Sequence, residues 1–203
     1  AIELKGDPDF NRAFKTIDIV KDDIDKLKDA WKIYILNVIW KNVKDIFSNY
    51  ENVEKSLKSS HLLSEKKGGL ELLLYALQRA KLKVKSAFSP NGNVEHSVEL
   101  SANELCTETV NCLSEEIIDF NRIFSELNSY IASNDSCVWL LLDRLDDAFP
   151  DNTVTDSLIM KALLYAYKDI CIYSNLKIKI FIRDDIFLSV PANGLTSLTH
   201  VSA

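Results

Sequence analysis

Glycine and proline are scarce, five and four among 203 residues, so long irregular loops should be few. The four cysteines, Cys106, Cys112, Cys137 and Cys171, form no CxxC pair, and His61, His96 and His200 are scattered. That spacing speaks against a zinc site, and reduced thiols of a cytoplasmic protein are the expectation. No apolar run approaches eighteen residues and no signal peptide stands out, so neither membrane spanning nor secretion is supported. Basic excess is also missing. The net charge is −6 and the sequence pI about 5.1, which argues against direct nucleic-acid binding through a dominant basic surface. Finally, no GxxxxGK[ST] occurs, so nothing in these residues wraps backbone N–H groups round a phosphate and supplies a lysine.

What is present is an ordinary globular balance, 47% hydrophobic and 27% charged. One domain over residues 1–203 is expected, carrying a helical and hairpin insertion at 49–136. The organising stretch is CVWLLLDRLDDAFP, Cys137 to Pro150. Val138 to Leu142 run unbroken into Asp143, which suits a parallel strand buried on both faces. A carboxylate then stands at the carboxyl edge, where open α/β sheets bind ligands. A second strand, KIKIFIRDDIF from Lys177 to Phe187, also ends in charged groups. Between them Ile159, Ala162, Leu163, Ala166 and Ile170 keep a helical period, with Thr153, Thr155 and Asp156 as candidate N-caps. Strand, helix and strand of these lengths predict a βαβ crossover, which brings both charged ends to one sheet edge.

LLLDRLDD followed by IKIFIRDDIF resembles a bacterial family of P-loop ATPases related to the STAND and KAP-type nucleotidases. In that family the Walker B strand runs into Asp-Arg-Leu-Asp-(Asp/Glu), and the next strand ends Phe-(Leu/Ile)-Arg-x-Asp-Ile-Phe. The likeness covers about a third of the chain. It implies an α/β fold with a parallel sheet flanked by helices, a partial P-loop nucleotidase core. ATP and Mg²⁺ are the implied cofactors. The implied setting is a cytoplasmic module of a regulatory or anti-phage assembly, working as a homo-oligomer or with a partner effector protein. Asp143 would hold Mg²⁺, Asp146 or Asp147 would orient or deprotonate the attacking water, and Arg183 would sense the γ-phosphate. Arg144 stands where many relatives carry an acidic residue. Asp184 and Asp185 would fix Arg183. Since a P-loop normally precedes its Walker B strand, that turn is expected before Ala1. Ala1 to Gly6 read as the end of a strand already under way.

Two other readings compete. One is a nucleotide-held scaffold or switch without turnover, favoured by Arg144. The other is a metal-dependent nuclease using Asp143, Asp146, Asp147, Asp184 and Asp185. A structural salt-bridge network at a sheet edge is the plain alternative to all three.

Elsewhere, Ile24 to Tyr50 read as a long helical region with Ile24, Leu27, Trp31, Ile35, Val38 and Ile46 in register, and WKIYILNVIW buried between layers. The charges from Lys21 to Lys32 read as a solvated face, with Asp22/Lys26 and Asp25/Lys28 pairs. A short helix and loop should follow from Glu51 to Lys67, then an apolar helix from Leu70 to Arg79. Lys81 to Leu100 suggest a hairpin about Ser89 to Asn93. His96 reads as packed and His61 as a loop or helix-start residue. Ser101 to Ser133 read as helical, with a long helix starting near Ser114 and Glu116 or Ile117 and continuing to Ser133. Ser197, Thr199 and His200 belong to an ordinary surface tail.

Overall fold

The computed structural model describes residues 2–5, 14, 23–44, 46–47, 51–65, 69–80, 118–143, 145, 153–184 and 187. In chain order these give β1 (Ile2–Lys5), α1 (Ile24–Val43), α2 (Glu51–Ser59), α3 (Gly69–Arg79), α4 (Phe120–Ser133), β2 (Val138–Asp143), α5 (Val154–Ile170) and β3 (Leu176–Ile180). The strands form a parallel sheet in the order β1-β2-β3, with β2 in the middle. Helices and a parallel sheet make the chain α/β, and β2–α5–β3 is the expected strand–helix–strand unit. The suggested hairpin at 81–100 lies outside the described residues.

α1 forms the middle of the helical layer. Every residue from Ala30 to Trp40 is buried, so this helix is covered on all sides. Its polar groups are therefore paired inside. The Trp31 indole Nε1 donates to the Ile159 carbonyl of α5 at 3.1 Å. The Asn37 side-chain amide donates to the Ile33 and Leu62 carbonyls and accepts from the Ser64 N–H, tying the loop after α2 to α1. Lys32 is 7% exposed, pairs with Asp169 of α5, and stands 5.1 Å from the centroid of the Phe120 ring of α4. The solvated face expected for Lys21 to Lys32 thus fails at Lys32, because Lys28 and Lys32 both reach Asp169 near the end of α5. Lys28 also pairs with Asp25 as expected, and Lys26 pairs with Asp23 at 3.0 Å; Asp22, the partner expected for Lys26, lies outside the described residues. α1 stops at Val43, and Ile46, placed by sequence on the apolar stripe, is 72% exposed beyond the end of the helix.

Capping sets the other helix limits. Thr153 and Asp156 close a capping box at the start of α5, each side chain taking the other residue's N–H. Asp119 caps α4 by accepting from the Arg122 N–H at 3.0 Å. Ile118 and Asp119 are non-helical, so α4 begins at Phe120 and the start expected near Ser114 and Ile117 does not run into it. At the far end of α4 the Ser136 N–H reaches the Ile131 carbonyl and the Asp135 N–H the Ala132 carbonyl, a Schellman ending with Asp135 at φ 48°.

Asn175 fixes the register of the two motif strands. Its carbonyl accepts from the Val138 N–H, its side chain donates to the Ser136 carbonyl, and its own N–H donates to the Asn128 side chain of α4. The register that follows pairs Val138 with Leu176 and Leu142 with Ile180.

Leu140, Leu142, Leu176 and Ile178 join α1, α4 and α5 in one buried core. The opposite face is different. Trp139 is 40% exposed, Leu141 is half-buried, and Lys177, Lys179 and Phe181 are exposed. The expectation that β2 is buried on both faces is therefore corrected: only the Val138, Leu140 and Leu142 side is.

Candidate functional site at the carboxyl edge

Asp143 is the last residue of β2 and is half-buried. Its register partner on β1 is Lys5. On the other side the Phe181 N–H donates to the Leu142 carbonyl at 2.8 Å, so the two chains stay aligned one step beyond β3. Asp143 and Phe181 therefore stand level at the carboxyl edge.

Arg183 follows two residues on. From Leu176 onward, buried or half-buried positions (Leu176, Ile178, Ile180, Ile182) alternate with exposed ones (Lys177, Lys179, Phe181, Arg183). On β2 Asp143 has the parity of Trp139 and Leu141. Arg183 is exposed and lies two residues past Phe181, the position level with Asp143, so both chains leave the sheet at its carboxyl edge. Arg183 does not end a strand, as the motif suggested. β3 stops at Ile180, and the Phe187 N–H donates to the Arg183 carbonyl at 3.0 Å, so Arg183 opens a helical turn that includes Asp184. Asp184 is exposed beside it. Leu145 is 2% exposed, so the chain returns to the core directly after Asp143.

Arg144, Asp146, Asp147 and Asp185 lie outside the described residues. Among the described residues, no three His, Cys, Asp or Glu side chains gather as a metal cluster. One carboxylate suffices for a Mg²⁺ ion held mainly by substrate phosphates, and the half-buried Asp143 at an open edge has the hard oxygen donor that such an ion prefers.

Sequence reasoning missed the open aromatic face beside the site. The Lys179 ammonium lies 5.1 Å from the centroid of the Trp139 ring. The alternating lysines of KIKIF were its signal; the unbroken VWLLL run concealed it. A separate groove of about 530 Å³ between α2 and α4, lined by Ser56, Glu126, Ser129 and Tyr130 among others, includes no residue of the sheet.

A scan of protein-family models and searches of curated proteins and solved structures found no match to this chain.

Proposed function

We propose that this chain is part of the nucleotide-binding core of a Mg²⁺-dependent P-loop ATPase, acting in the cytoplasm within a regulatory or anti-phage defence assembly. The observation that supports the reading is that β2, ending in Asp143, and β3, followed three residues on by Arg183, are neighbouring parallel strands held in register by Asn175, so both chains leave the sheet at one carboxyl edge. The family resemblance of LLLDRLDD and FIRDDIF supports it.

In this reading Asp143 offers its carboxylate to Mg²⁺, which, when bound with ATP, neutralises phosphate charge. Arg183 directs a guanidinium at the charge that develops on the transferred phosphoryl group. Asp146 or Asp147 orients the attacking water or takes its proton. The glycine-rich turn and its lysine would come from polypeptide outside these 203 residues, and a homo-oligomer or effector partner would receive the output.

Phosphate release by the full-length protein tests this. Asp143→Ala should lower turnover by at least about tenfold, the loss expected when a metal-holding carboxylate is removed. Wild-type turnover in Asp143→Ala would sink the reading. Arg144 in the usual acidic place supports the second reading, a nucleotide-held switch. It predicts MgATP binding that depends on Asp143 with little phosphate release from the wild type.

A further inference from the structure

We draw no further inference here: the strongest candidate, the open face of β2 and β3 on which Trp139, Lys177, Lys179 and Phe181 are exposed, is an unpartnered sheet face, and nothing in the structure shows what covers it.

Discussion

Among the described residues, two hold left-handed backbone that glycine or asparagine adopts more readily: His61 at φ 52° and Asp135 at φ 48°. Asp135 sits at the turn that releases α4 toward β2, so its conformation is fixed by the two Schellman bonds. Asp135→Gly should raise stability by roughly 0.5 kcal/mol, since the Cβ penalty disappears and those bonds remain. Urea unfolding at neutral pH is the check. His61 lies in the turn after α2, in keeping with its reading as a loop residue; its N–H donates to the Lys58 carbonyl and its carbonyl accepts from the Tyr75 hydroxyl. It ends α2 through its backbone. Asp29 raises a different question. Burial pushes its carboxyl above the ordinary value of 3.8, outweighing the lowering by Lys32 and Lys28. A raised folded value means that the native chain holds the proton more tightly than the unfolded one. Stability from this group therefore falls as pH rises from 3.8 through the folded value, then levels. Asp29→Asn removes the titration. Its stability relative to wild type should climb across that interval and stay higher at pH 7, measured by urea unfolding at stepped pH.

Among the elements, α1 and α5 were the most legible. Their apolar periods are long, and Thr153 with Asp156 marks the start of α5 by local chemistry alone. Thr153→Ala should cost about 1 kcal/mol, seen as a lower urea midpoint at unchanged slope. Lys32 was misread because a lysine inside a charge run gives no local sign that Asp169, far along the chain, will meet it. Burial makes the pair asymmetric: Lys32 is enclosed, whereas the Asp169 side chain is 40% exposed. Asp169→Ala strands a buried ammonium and should destabilise more than Lys32→Met, which leaves a partly hydrated carboxylate. Thermal melts of the two variants give the order. β2 misled for a related reason. Five apolar letters cannot reveal which of them face the helices, and only the lysines of the paired strand record the open side. The start of α4 was missed because Ser114 before Ile117 resembles a helix start, while Asp119, the actual cap, stands a few residues on.

At the scale of the whole molecule, β2 and β3 have one sealed face and one open face, with charged residues at their carboxyl edge. The parallel pairing of β2 and β3 was legible because strand, helix and strand of these lengths allow little besides the β2–α5–β3 crossover. The place of β1 was not, since four residues hold no record of which strand they will join; the register putting Lys5 beside Asp143 comes from the fold alone. The two faces should differ in tolerance. Phe181→Ser should cost about 1 kcal/mol or less, while Ile178→Ser, on the sealed face, should cost several, as chemical denaturation would show. The open face also leaves the protein an optical reporter. Of three tryptophans, Trp31 and Trp40 are enclosed and Trp139 alone is substantially exposed, four residues before Asp143 on the same strand. Its red-shifted emission and ready quenching by acrylamide will dominate any change when a molecule settles over the edge. The native protein can therefore be titrated by its own fluorescence without an attached dye.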